Sequence, residues 1–356
     1  MGLRIVLTSF GSLGDLHPYI GLGQALAERG HRPVLALPQA YAGAVQAAGL
    51  EHHPVRPDVD PSQREIVRRV MDPLRGARFL IGELLVPHVR DSYADLDAVC
   101  AGADLIVSHP LTFAAPLAAE KRGIPWVSSV LAPIGFFSRV DPPLVAVHPL
   151  VSSLKRGWPG VYRALLGLAK RSTGTWARPA RELRRELGLP DRGDPIHEGQ
   201  FSPRGTLALF SRVLGQPQRD WPVNTVVTGA IQYDASHGGM PEEIRRFLDA
   251  GEPPIVFTLG SAAVAAKGAR DFYATSLAAV RELGARALFL VGHHERHELG
   301  QGPQDRVLFC EWAPHSELFP RASVVVHQGG AGTLHTGLAS GRPMLVVPFA
   351  HDQGDN

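Results

Sequence analysis

Cysteine is nearly missing from this chain. Cys100 and Cys310 are the only two in 356 residues, and they stand far apart with no partnered spacing. That excludes a disulfide framework and points to a reducing compartment. A dominant charge is also missing: the formal net charge is +2, so no global field argues for nucleic acid. No uninterrupted apolar run reaches the length a transmembrane helix needs. The N-terminal Leu3-Arg4-Ile5-Val6-Leu7-Thr8 leads straight into a glycine turn, so it reads as a first strand and not as a signal peptide. A cytoplasmic protein is the expectation. What is present is globular composition, 44% hydrophobic and 20% charged, in a length that suits about two ordinary domains.

Strand-like and helix-like runs alternate along the sequence. Leu3 to Ser9, Pro33 to Leu37, Asp104 to Ser108, Pro125 to Val130 and Thr206 to Phe210 read as strands, with helical stretches between several of them. Gln216-Pro217-Gln218-Arg219-Asp220-Trp221-Pro222 reads as a linker. Beyond it the alternation restarts with Thr225 to Thr228, Ile255 to Leu259, Ala287 to Val291 and Val324 to His327. Such alternation predicts parallel βαβ units, here in two Rossmann-like, doubly wound α/β domains facing across a cleft. The expected division is 1–217 and 218–356. Ligands in such sheets sit beyond the carboxyl ends of strands.

Several motifs are weaker than they first look. A nicotinamide-binding reading of Gly11 to Pro18 wants an acid at the end of the second strand, which instead ends Leu37-Pro38-Gln39. Asp58-Val59-Asp60 lies in a proline-rich loop with no further ligand nearby, and reads as solvated. His293-His294-Glu295-Arg296-His297-Glu298 lacks the spacing that puts two imidazoles on one helical face, and reads as an exposed polar loop. Residues 131–150, with Phe136 and Phe137, read either as a loop over the acceptor pocket or as packed irregular core.

Between 150 and 186, Lys155, Arg156, Arg163, Lys170, Arg171, Arg178, Arg181, Arg184 and Arg185 face only Glu182 and Glu186. Leu154, Trp158, Val161, Tyr162, Leu165, Leu166 and Ala169 recur at helical spacing. A basic amphipathic helix with tryptophan suits an anionic membrane surface, which would make residues 154–185 a peripheral contact at the inner membrane face. The commoner outcome is a surface helix whose apolar stripe joins the core, and that is expected here.

The stretch around His327-Gln328-Gly329-Gly330-Ala331-Gly332-Thr333 organises the rest. A strand runs into glycines that let backbone approach a ligand, and then into a helix whose first N–H groups are unpaired. His327 adds a donor at the strand's end. Together these make a cradle for a diphosphate.

From Trp312-Ala313-Pro314-His315-Ser316-Glu317-Leu318 through this cradle to Asp352-Gln353, the sequence resembles the donor-binding signature of family 1 glycosyltransferases. These are nucleotide-sugar transferases of the GT-B superfamily, and this version is similar to bacterial rhamnosyltransferases and to sterol and antibiotic glucosyltransferases. Phe10-Gly11-Ser12-Leu13-Gly14-Asp15-Leu16-His17-Pro18 resembles their acceptor-side loop. The resemblance implies that Trp312, with Ala313 beside it, stacks on the base. It implies that His327, Gly330, Gly332 and Thr333 hold the diphosphate, with Ser261 as a second phosphate contact. Asp352 and Gln353 would then hold the sugar hydroxyls. His335 stands where plant-type relatives carry an acid that grips the ribose, leaving uridine and deoxythymidine donors both open.

Asp15 is the implied catalytic base, with His109 as its orienting partner and Gly14, His17 and Phe136 on the acceptor side. A base is required because the acceptor hydroxyl loses its proton as it attacks the anomeric carbon. The competing role for Asp15 is to cap a helix beginning near Pro18. Relatives continue past the Asp-Gln pair, so the second domain is expected to be incomplete at Asn356. The implied activity is inverting, metal-independent transfer of a hexose or deoxyhexose from a UDP- or dTDP-sugar to a small hydrophobic hydroxyl acceptor (a lipid, sterol or natural product), without a cofactor or nucleic acid. A non-catalytic nucleotide-sugar binder and a nucleotide-sugar epimerase are the rival readings.

Overall fold

The structure, a computed structural model, describes residues 2–60, 63–145, 149–235, 239–292 and 306–356. Seven strands form the first sheet: β1 (Arg4–Thr8), β2 (Arg32–Leu37), β3 (Glu51–Pro54), β4 (Leu105–Ser108), β5 (Trp126–Val130), β6 (Thr206–Ala208) and β7 (Thr225–Val227). Their order is β3-β2-β1-β4-β5-β6-β7. The second sheet holds β8 (Ile255–Thr258), β9 (Ala287–Leu290), β10 (Val307–Cys310), β11 (Val324–His327) and β12 (Met344–Val346), in the order β10-β9-β8-β11-β12. Every pairing is parallel.

Parallel strands are covered by helices on both faces, so their sequences are nearly continuous apolar runs. That is why β1, β2, β4, β5 and β8 stand out in the sequence. β3, Glu-His-His-Pro, is a half-exposed edge strand, and nothing in its composition announces it. Separate cores lie on the two faces of each sheet. Val6, Val34, Ile106, Leu117 and Trp126 belong to one on the first sheet, and Leu7, Tyr19, Ile20 and Leu35 to the other. Phe257, Phe289 and Val326 mark one face of the second sheet, with Val256, Leu288 and Val325 on its opposite face.

The strand order reverses between β1 and β4 in the first sheet, and between β8 and β11 in the second. A crevice opens beyond the carboxyl ends of the strands at each such point. The backbone leaves β1 into Gly11–Asp15, β4 into His109, β8 into Gly260–Ser261 and β11 into Gln328–Gly332. Both crevices therefore receive the residues singled out by sequence.

The domain boundary differs from expectation. β7 follows the proline-rich linker and yet pairs with β6, so the first sheet continues past residue 217. The passage to the second sheet falls between Thr228 and Ile255. Trp221, within the linker, stacks on Phe136 at 4.2 Å between ring centroids, which anchors that segment to the first domain. The basic segment forms the helices Pro149–Gly157, Pro159–Thr173 and Arg178–Glu186. Its apolar stripe divides: Tyr162 is buried, whereas Trp158, Val161 and Leu165 are exposed, so the stripe joins the core only in part. Among the described residues no helix is long and apolar enough to cross a membrane. The histidine-rich run 293–298 lies outside the described residues.

Candidate functional site

On the first domain, helix α1 spans Leu13–Glu28, with Ser12 as its N-cap. The expectation of a start near Pro18 is corrected: Pro18 lies inside the helix and Asp15 in its first turn. Asp15 completes a capping box, in which Ser12 N–H (2.7 Å) and Ser12 Oγ (3.1 Å) both donate to Oδ2. Ser12 Oγ in turn accepts from the N–H of the exposed Gly14 at 3.2 Å. Gly11, at φ +139°, makes room for the folded-back carboxyl, because a Cβ there would stand 2.2 Å from Oδ2.

The other oxygen of Asp15, Oδ1, faces Nε2 of His109 at 3.6 Å. His109 is buried, and its Nδ1 accepts from Leu111 N–H at 3.3 Å, which leaves the ring proton on Nε2. Burial pushes the His109 pKa down to about 3, so the ring is a neutral donor. The Asp15 carboxyl moves the opposite way, up to about 7. Burial is the main cause and the charge of Asp352 adds to it, against the lowering effect of the Ser12 bonds. An acid on the second domain is thus felt by the acid on the first.

On the second domain, His327 is fully buried at the end of β11. Its Nδ1 accepts from Gly329 N–H at 3.0 Å, and its Nε2 is buried without a hydrogen-bond partner. Burial lowers its pKa to about 4, so the ring is neutral and Nε2 bears a proton to donate. Gly329, at φ +88°, lies under the sugar-side loop, since a Cβ would meet the Gln353 carbonyl oxygen at 2.9 Å. The cradle helix Ala331–Ser340 follows, with Gly330 as an N-cap that offers no side chain and open space around Gly332. The Asp352 carboxylate accepts from Ala331 N–H, so the Gly332 end of the first turn and the helix dipole are what remain for an anion. Thr333, which the resemblance places in the cradle, is buried with its hydroxyl 3.5 Å from Gln328 Nε2. Ser261, exposed after β8, stands beside this turn, because Gly260 packs against Gln328.

Asp352 accepts from Asn356 Nδ2 at 2.7 Å, and burial raises its pKa. Gln353 is buried, and its Oε1 accepts from Phe349 N–H (2.9 Å) and Ala350 N–H (3.1 Å). That oxygen shapes the loop, so only the amide nitrogen is left to meet a sugar. Trp312 is half-buried just beyond β10, while Ala313 is buried in the core with Leu318 and Phe319.

The structure reassigns two residues. Both nitrogens of His335 are engaged by protein: Nδ1 donates to Ala331 O at 2.7 Å, and Nε2 accepts from Ser211 N–H at 3.0 Å. Ser211 follows β6, so His335 ties the cradle helix to the first domain and is not free to grip a ribose. Phe136 is buried among Phe201, Phe210 and Trp221, where it packs the core instead of lining an acceptor surface.

His17 meets Tyr233 edge-on at 5.2 Å. Burial lowers the His315 pKa to about 4, the neighbouring His17 and His327 rings add to that lowering, and Asp234 opposes it. His315 was missed by sequence reasoning, although it stands three residues after Trp312 in the same signature. Among the described residues no group of three His, Cys, Asp or Glu side chains could hold a metal ion.

Two parallel doubly wound domains, one presenting the Asp15 carboxyl and the other a neutral imidazole beside a helix start, form a GT-B glycosyltransferase fold. The model of the family described as UDP-glucoronosyl and UDP-glucosyl transferase matches residues 214–356. The O-mycaminosyltylonolide 6-deoxyallosyltransferase of Streptomyces fradiae is 33% identical, over 98% of this chain and 81% of that protein. This chain belongs to that family of glycosyltransferases. Its fold is shared with the crystal structure of the kitacinnamycin glycosyltransferase, at TM-score 0.68 and 24% identity over 99% of this chain and 82% of that one. It is also shared with a Streptomyces glycosyltransferase complexed with thymidine diphosphate, at TM-score 0.61 and 21% identity over 97% and 82%.

Proposed function

We propose that the protein is an inverting, metal-independent transferase that moves a hexose or deoxyhexose from a UDP- or dTDP-sugar to a hydroxyl of a lipid, sterol or natural-product acceptor. The observation that carries the reading is geometric: Asp15 Oδ1 lies 3.6 Å from Nε2 of the buried His109, within reach of the charge of Asp352 on the second domain, where burial pushes its pKa up to about 7. A base titrating near neutral pH is ionised often enough to act, yet still basic enough to take a proton.

In this mechanism Oδ1 of Asp15 accepts the proton of the acceptor hydroxyl as its oxygen bonds to the anomeric carbon. The bond from that carbon to the diphosphate oxygen breaks on the opposite face, and its electron pair leaves with the diphosphate. His327 Nε2–H and the cradle-helix start, beyond the Ala331 N–H that Asp352 takes, meet the growing negative charge. Attack from the face opposite the leaving group inverts the centre. The thymidine diphosphate bound by one structural neighbour and the deoxysugar named for the Streptomyces fradiae relative support a dTDP-deoxyhexose among the donors.

The test is nucleoside diphosphate release from a panel of UDP- and dTDP-hexoses, with and without hydroxyl acceptors, followed by NMR of the product's anomeric configuration. Acceptor-dependent release that persists in chelator and gives the inverted anomer is expected. A retained anomer, or loss of turnover in chelator, would overturn the mechanism. Binding without turnover on any acceptor would make the protein a nucleotide-sugar binder.

A further inference from the structure

The helix Pro159–Thr173 uses one face to fold and leaves a second apolar face in solvent. Tyr162, on the inner face, is buried and donates to Pro143 O at 2.6 Å. Trp158, at its N-cap, is 67% exposed, and Val161, Leu165 and Leu168 are 47%, 47% and 59% exposed. Steps of three and four residues set these four along one side of the helix. A contiguous exposed stripe of this kind differs from the scattered apolar residues of ordinary surfaces.

The charge around the stripe is of one sign. From residue 149 to residue 173 the sequence has Lys155, Arg156, Arg163, Lys170 and Arg171 and no acid. Lys155 reaches Asp355 at 3.4 Å and Lys170 pairs with Glu198, while Arg156, Arg163 and Arg171 stay exposed. A two-fold contact between copies would set this patch against itself and bring guanidinium groups toward guanidinium groups. An anionic bilayer meets both demands at once. Acyl chains cover the apolar stripe, lipid phosphates meet the arginines, and the Trp158 ring sits at the interface.

We infer that the Trp158–Leu168 face of this helix is a docking surface for an anionic phospholipid bilayer. The inference concerns where the protein sits and is independent of the proposed transfer reaction.

Co-sedimentation of the full chain with vesicles tests it. Vesicles rich in phosphatidylglycerol should pull the protein down, vesicles of phosphatidylcholine alone should not, and raised salt should release it. Leu165→Glu should weaken binding by at least about tenfold, and Arg163→Glu or Arg171→Glu by about fivefold each. These side chains are exposed, so unchanged melting temperatures will confirm that the variants fold. Transfer to a water-soluble acceptor should be the same in Leu165→Glu as in the parent. No binding to anionic vesicles, or equal binding by Leu165→Glu, overturns the proposal. So does a lipid-free dimer, seen by size-exclusion light scattering, that Leu165→Glu dissolves, since the face would then join two copies.

Discussion

Nε2–H of His109 points at Oδ1 of Asp15 from 3.6 Å, a separation too long for a tight hydrogen bond and short enough to hold the carboxyl's direction. The ring cannot charge at neutral pH, because burial keeps its pKa near 3. In the proposed mechanism it therefore orients the base without neutralising it. His109→Ala should lower kcat by about tenfold and move the acidic limb of the pH–rate profile upward, since a donor to the ionised form is lost. His109→Gln, which keeps an N–H donor, should recover part of both effects. A profile unmoved by His109→Ala would remove the orienting role.

Asp15→Asn should reduce transfer by a factor of about 1,000 while leaving nucleotide-sugar binding within about threefold, as loss of a general base does. Titration calorimetry with the donor and single-turnover kinetics with an acceptor separate the two. In the parent, kcat/KM should rise with pH to a plateau, with its inflection near 7.

The same substitution should raise stability. The folded pKa of Asp15, about 7, lies above its ordinary 3.8, so between those values the folded state binds more protons than the unfolded. Stability is therefore lost as pH rises through this window, and the penalty is complete above 7. Asn keeps an oxygen to accept from Ser12 and has no charge to bury. Its melting temperature should exceed the parent's at pH 8 and match it near pH 4, measured by calorimetry.

His327→Ala removes the unpartnered Nε2 donor from the cradle and should weaken donor binding by about tenfold or more, with a smaller effect on acceptor KM. Equal affinity by calorimetry would mean that the diphosphate lies elsewhere.

His335→Ala should leave the choice between UDP- and dTDP-sugars unchanged, because both ring nitrogens already serve the protein. It should instead lower the melting temperature, since Ser211 N–H loses its acceptor, at a cost of roughly 1–3 kcal/mol. A shift in nucleotide preference at unchanged stability would restore His335 to the donor site.

How much of this was legible in the sequence follows from what each residue depends on. Apolar runs flanked by glycine announced most of the strands, because a strand buried on both faces leaves little room for polar residues. The cradle was legible as well, since its glycines and helix start are consecutive in the sequence. β3 was not, being polar and at an edge. The role of His335 was not, because Ser211 is distant in sequence and only the closed structure brings its N–H to the ring. Phe136 stayed open between a loop over the pocket and packed core, because the aromatic neighbours that settle it, Phe201, Phe210 and Trp221, come from other segments. The linker misled for a related reason: proline marks a break in local structure, and β7 pairs beyond it through contacts that local composition does not encode.

The two oxygens of Asp15 have different tasks. Oδ2 is bound to Ser12 and starts a helix, while Oδ1 is turned to His109. A substitution that spares the fold must keep an acceptor at the first, and one that spares the chemistry must keep a titratable oxygen at the second. In the proposed mechanism the helix start and the base therefore share one side chain, so local fraying of α1 would switch transfer off before the donor site felt any change.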